Sequence, residues 1–176
     1  MLKHVPNILT IIRFFLIFPL VAFALNEQYI AAAIVFTISG LTDILDGFIA
    51  RKYNLISDFG KLMDPLADKL VQISLLIVLT INGILPVWAL AIVCVKELAM
   101  ILGATFLYEK NTVVSSNWYG KAATVIFYFA LILSMLNINH YIYFVYFALG
   151  FTLFALLMYF KEFMIKKKNL ENDETK

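Results

Sequence analysis

The sequence predicts an all-α fold, a bundle of six helices that cross a lipid bilayer. Three observations carry this. Of its 176 residues 62% are hydrophobic and the mean hydropathy is +0.88, whereas soluble globular domains are about 45–50% apolar. The apolar residues fall into long runs, each near the ~20 residues that a helix needs to cross a bilayer. The runs are divided by short turn-forming segments, and Lys and Arg gather in alternate ones. A water-soluble fold of this length has no interior large enough for so much apolar surface.

The spans follow in order. The first is expected from Ile8 to Leu25 and the second from Tyr29 to Ala50, parted by the polar turn Asn26-Glu27-Gln28. The third is expected from Leu62 to Ile81 and the fourth from Val87 to Tyr108, parted by Asn82-Gly83 and Pro86, residues that end helices and start turns. The fifth runs from Trp118 to Leu136 and the sixth from Tyr141 to Phe160, with the turn Asn137-Ile138-Asn139-His140 between them. The polar, Ser-containing stretch 111–117 reads as a loop. Residues 1–165 form the expected transmembrane domain, and residues 166–176 a polar cytoplasmic tail.

Orientation follows from the basic residues. None of the 14 Lys and Arg falls in the turns at 26–28, 82–86 or 137–140. The opposite segments hold Lys3, Arg51, Lys52, Lys61, Lys110, Lys161, Lys166, Lys167 and Lys168, so both termini are expected in the cytoplasm. Tyr29, Trp88, Trp118, Tyr119, Tyr141 and Tyr143 lie near span ends, where amphipathic rings settle. The first apolar run carries Arg13 and lacks a small-residue cleavage site after it, so it reads as a retained helix. Cys94, the sole cysteine, sits in an apolar run and reads as an inert core thiol.

Charges inside spans cost roughly 2.5–3.5 kcal/mol each on insertion scales, so they point to function. Arg13 falls in the first span and Asp43 and Asp46 in the second. Asp64, Asp68 and Lys69 open the third, Lys96 and Glu97 lie in the fourth, and Lys121 begins the fifth. Together they describe a polar cavity open to the cytoplasm. Asp43 and Asp46 are three apart and Asp64 and Asp68 four apart, spacings that put each pair on one helix face. Four carboxylates meeting at low dielectric need cations among them. Oxygen-only donors suit Mg, Mn or Ca rather than zinc. Singly, the residues have other uses: Asp64 before Pro65 fits a helix N-cap, and buried aspartates also serve cation or proton transporters.

Asp43-Ile-Leu-Asp46-Gly47-Phe-Ile-Ala50-Arg51, then eight residues, then Gly60-Lys-Leu-Met-Asp64-Pro-Leu-Ala-Asp68 resembles the signature of the CDP-alcohol phosphatidyltransferases, D-x2-D-G-x2-A-R-x8-G-x3-D-x3-D. All eight specified positions match over 26 residues. The resemblance implies an enzyme that exchanges the CMP of a CDP-linked lipid for an acceptor alcohol. It implies two divalent cations, Mg or Mn, on Asp43, Asp46, Asp64 and Asp68, with Asp68 also as general base toward the acceptor hydroxyl. It implies CDP-lipid binding by Asp43, Gly47, Ala50, Arg51 and Gly60. The glycines would let backbone approach the nucleotide, and the Arg51 fork would suit a phosphate or the cytidine edge. The same resemblance implies a multi-pass protein of the cell membrane, with its site facing the cytoplasm, membrane lipids around it and a homodimeric assembly. No nucleic-acid partner is expected.

The acceptor is read from two further stretches. Pro6-Asn7-Ile-Leu-Thr10-Ile-Ile-Arg13 looks like the start of the family's glycerophosphate and cardiolipin branches. Asn7, Thr10 and Arg13 could share one helix face toward the cavity; the alternative is a helix start at Asn7 with Arg13 snorkelling. Lys96-Glu97 stands where the glycerophosphate branch has Arg-Glu, and Gly120-Lys121-Ala-Ala123-Thr124 looks like its G-K-x-K-T with Ala123 in place of the second lysine. Arg13, Lys96 and Lys121 are the expected acceptor-phosphate residues. The first choice of acceptor is therefore a small phosphorylated alcohol, sn-glycerol 3-phosphate, with CDP-diacylglycerol as donor. Phosphatidylglycerol and inositol phosphate are the alternatives, and a cation or proton transporter is the reading from a different class.

Overall fold

A computed structural model describes residues 5–53, 58–109 and 118–174. Among them the chain forms six α-helices: α1 (Val5–Leu25), α2 (Tyr29–Lys52), α3 (Asp58–Ile81), α4 (Val87–Glu109), α5 (Trp118–Met135) and α6 (Tyr141–Glu174). Among the described residues the protein is all-helical, as composition and run length predict. Four stretches of the described residues are long and apolar enough to cross a membrane: Asn7–Leu25, Tyr29–Ile49, Trp118–Met135 and Tyr141–Ile165. The expected loop at 111–117 lies outside the described residues. So do the side chains of Lys3, Ala50, Arg51, Lys61, Lys110, Lys166, Lys167 and Lys168.

Two helix boundaries differ from expectation by four residues or more. α3 begins at Asp58 rather than near Leu62, so Pro65 stands inside the helix and Asp64 is not its N-cap. An interior proline removes one backbone hydrogen bond, a loss that membrane helices tolerate because neighbouring groups re-satisfy the backbone. α6 continues past the expected end at Phe160 to Glu174, so most of the polar tail prolongs the sixth helix.

The chain divides into two compact units: Met1–Val87 with Leu131–Asn139, and Trp88–Ala130 with His140–Lys176. In the first unit α1, α2 and α3 pack on one another. Their turns share one device, a residue in the left-handed conformation that lets two backbone N–H groups reach back to the helix carbonyls. Glu27 (φ 59°) serves α1, with Glu27 N–H donating to the Ala24 carbonyl at 3.1 Å and Gln28 N–H to that of Phe23 at 2.9 Å. Gly83 (φ 74°) serves α3, with its N–H donating to the Thr80 carbonyl and that of Ile84 to Leu79. Asn137 (φ 48°) repeats the pattern after α5. Gly and Asn suit this conformation; Glu27 does so only at a steric cost. Asn82 fastens the three helices at this end, its Nδ2 donating to the Ala24 carbonyl at 2.8 Å and lying 3.2 Å from the Tyr29 hydroxyl.

Each of these helices buries one stripe at helical spacing. On α1 it includes Thr10, Arg13, Leu20 and Ala24; on α2 it includes Ala32, Phe36, Ser39 and Asp46. On α3 it includes Ala67, Val71, Leu75 and Leu79. Near the Asn82 end the stripes are apolar and pack as an ordinary core. Toward the other end the same periodicity carries polar residues inward. A helix turns every 3.6 residues whatever it carries, so polar groups placed in register with the core must find partners there.

The second unit is held by a different chemistry. Tyr119 and Ala123 of α5 pack on Ala155 of α6, with Phe151, Met158 and Tyr159 around them. The Tyr119 and Tyr159 rings meet edge to face with centroids 4.9 Å apart, a preferred aromatic geometry. Small residues at such contacts let membrane helices approach closely. Trp88 of α4 meets Tyr146 of α6 with ring centroids 5.6 Å apart.

Candidate active site

The polar end of the first unit gathers around Arg13. This side chain is 1% exposed, and its guanidinium reaches three carboxylates on two other helices. Nη1 donates to Asp43 and Nη2 to Asp46. Nη2 also lies 3.7 Å from Asp64. One turn earlier on α1, the buried Thr10 hydroxyl donates to Asp64 Oδ1. The expected shared face of Thr10 and Arg13 is therefore real, and Arg13 does not snorkel. A lone arginine on an apolar helix needs a buried counter-charge, and the motif aspartates provide it.

The three carboxylates are unequal. The Asp46 side chain is 2% exposed, while those of Asp43 and Asp64 are 41% and 33% exposed. Asp46 is the anchored inner member, and the other two keep one side accessible. The spacing argument for Asp43 and Asp46 holds, since both meet the same guanidinium. Asp68 is half-buried one turn beyond Asp64, and Gly60 is buried on the same helix. Gly47 follows Asp46 directly on α2. Ala50 and Arg51 fall in the last turns of α2, with side chains outside the described residues.

Among the described residues no three acidic, His or Cys side chains form a ready metal cage. Arg13 stands between carboxylates that the sequence assigns to two cations. The donor set itself suits such ions: carboxylate oxygens only, drawn from two helices and facing one positive centre.

The remaining expected residues belong to the second unit. Lys96 pairs with its neighbour Glu97, Nζ to Oε1 at 2.5 Å, both side chains being largely buried. Lys121 is exposed in the first turn of α5. Beside it, a Cβ added to Gly120 would run into the Tyr159 ring, so glycine here permits the close approach of α5 and α6. Thr124 turns its hydroxyl back to the Gly120 carbonyl at 3.2 Å. Ala123 is buried in the α5–α6 contact, where a lysine would have no solvent.

What sequence reasoning missed is the pairing of Arg13 with the aspartates. The signal was present: Arg13 in the first span and four aspartates in the next two. Distance along the chain hides it, since the partners lie 30 and 33 residues from Arg13.

Comparison with known proteins shows the family. The sequence model of the CDP-alcohol phosphatidyltransferases matches residues 3–160. The chain belongs to that family, whose members generally depend on divalent cations, and it is a helical membrane protein. It is 33% identical over 143 residues to a CDP-diacylglycerol–glycerol-3-phosphate 3-phosphatidyltransferase of Mycoplasma genitalium, covering 70% of this chain and 61% of the relative. It is 40% identical over 96 residues to the protein of that name in Bacillus subtilis, covering 54% of this chain and 50% of the relative. It is also 38% identical over 108 residues to a cardiolipin synthase (CMP-forming) of Streptomyces coelicolor, covering 60% of this chain and 50% of the relative. The chain thus spans half to three-fifths of the length of these curated relatives.

Proposed function

We propose that this protein transfers a phosphatidyl group from CDP-diacylglycerol to sn-glycerol 3-phosphate, forming phosphatidylglycerophosphate and CMP. One observation carries the reading: three motif aspartates from two helices face a single point where positive charge is held. The names of the relatives in Mycoplasma genitalium and Bacillus subtilis support the acceptor.

In this reading Asp43, Asp46, Asp64 and Asp68 hold two divalent cations, Mg or Mn. Bound there, the ions would neutralise charge growing on the phosphoryl oxygens. Asp68 takes the proton of the acceptor hydroxyl. The acceptor oxygen then forms a bond to the phosphorus that carries diacylglycerol, and the bond from that phosphorus to CMP breaks. Asp43, Gly47, Ala50, Arg51 and Gly60 bind the CDP-lipid. Lys96, Lys121 and Arg13 receive the acceptor phosphate. The acyl chains stay in the lipid, the site faces the cytoplasm at the cell membrane, and two copies assemble as a dimer.

A second reading is supported by the packing of Ala123. At that position the glycerophosphate branch carries a lysine, and here the side chain fills the α5–α6 contact. One fewer cation weakens a phosphate pocket, and the cardiolipin synthase relative supports phosphatidylglycerol as acceptor. Purified protein with CDP-diacylglycerol and Mg or Mn separates the readings by CMP release. Release that requires sn-glycerol 3-phosphate supports the first. Release only with phosphatidylglycerol supports the second. No CMP release with any alcohol, alongside metal-coupled ion flux in vesicles, would support a transporter.

A further inference from the structure

We infer that Arg13 is an internal counter-cation, which holds the aspartates together in the metal-free protein and leaves them when divalent cations bind. The inference rests on the proposal that Asp43, Asp46, Asp64 and Asp68 are metal ligands. It adds a state to that site: what balances the carboxylates before the metals arrive.

The argument starts from charge. Asp46 is 2% exposed, and an ionised carboxylate so placed is strongly disfavoured unless paired. Arg13, 1% exposed on an apolar helix, has the same need with the opposite sign. Its planar fork satisfies both, one nitrogen to Asp43 and the other to Asp46. Its second nitrogen, 3.7 Å from Asp64, also draws the two motif helices toward one point. The carboxylates are thereby gathered before any ion is bound, without the repulsion that three bare anions would suffer.

The same contacts set up competition. Carboxylate oxygens that accept from the guanidinium are the oxygens a cation would take, and a guanidinium beside a dication is repelled. Asp43 and Asp64, both part-exposed, are the members where exchange can begin. Arg13 also keeps a buried Nε–H that meets no acceptor among the described residues. That donor is available to an anion delivered with substrate, such as a phosphate. Arg13 therefore has two anionic partners in turn: the aspartates without metal, and a substrate phosphate once metal has displaced it.

The test uses the full chain in detergent or nanodiscs, without substrate. Mn binding is followed by the loss of the free-ion paramagnetic resonance signal, and unfolding is followed with and without Mn. Arg13→Met is expected to bind Mn about tenfold more tightly or better, the lower range for coupling between close charges. Its metal-free form should melt below wild type, and Mn should raise its Tm by more. Arg13→Lys, which keeps charge but loses the fork, should gain affinity by a smaller factor. Equal or weaker Mn binding by folded Arg13→Met would overturn the inference. If that variant does not fold, Arg13→Lys binding no tighter than wild type does the same. Wild-type protein whose Mn binding is lost in Asp46→Asn keeps the metal reading intact whichever way Arg13 falls. Wild-type protein that binds no Mn overturns the metal reading and this inference together.

Discussion

The two units solve the problem of charge in a helical membrane protein differently. In the first, Arg13 on α1 pairs with Asp43 and Asp46 on α2 and approaches Asp64 on α3. In the second, Lys96 pairs with Glu97 beside it on the same helix, and the α5–α6 contact is made by tyrosines and alanines. One set of charges joins three helices; the other ion pair links neighbours on one helix. Charges that join elements decide the fold and the site at once.

Several substitutions sharpen that contrast. Asp68→Asn in the first unit should lower CMP release by about 10²–10⁴-fold, the usual contribution of a general base, while CDP-lipid binding stays largely intact. Turnover near wild type would remove Asp68 from the base role. Asp46→Ala should cost about 3–5 kcal/mol of stability, because it strands the buried guanidinium of Arg13. Thermal or denaturant unfolding in detergent reads this, and an unchanged Tm would mean that the ion pair does not hold the unit.

In the second unit the sensitive contact is steric. Gly120→Ala should cost about 1–3 kcal/mol, as overpacking does, because its Cβ meets Tyr159. The Tyr159 hydroxyl is the nearest atom, so Tyr159→Phe should recover part of the loss in the double variant. Failure to recover would place the strain elsewhere. Lys121→Ala should be smallest in stability, within about 0.5 kcal/mol for an exposed side chain. It should raise KM for a phosphorylated acceptor more than for the CDP-lipid, and equal effects on both would argue against an acceptor-phosphate role.

Much of the architecture was legible before any coordinates. Span length and turn residues predict the helices because a bilayer imposes length and Gly, Asn and Pro break apolar runs. The start of α3 was not legible. Asp64-Pro65 is a good helix opening by local rules, and the helix runs through it. Glu27 likewise adopts a left-handed conformation that its residue type does not announce.

At the site, residue type and spacing determined that each aspartate pair shares a helix face, and the match to the family signature carried the family and the chemistry it implies. Only the tertiary structure decided that Arg13 belongs to those carboxylates, that Thr10 holds Asp64, and that Gly120 yields to Tyr159. Each of these joins residues on different helices. Local periodicity sets which face of a helix a residue occupies, but its partner is chosen by the packing of that face on another.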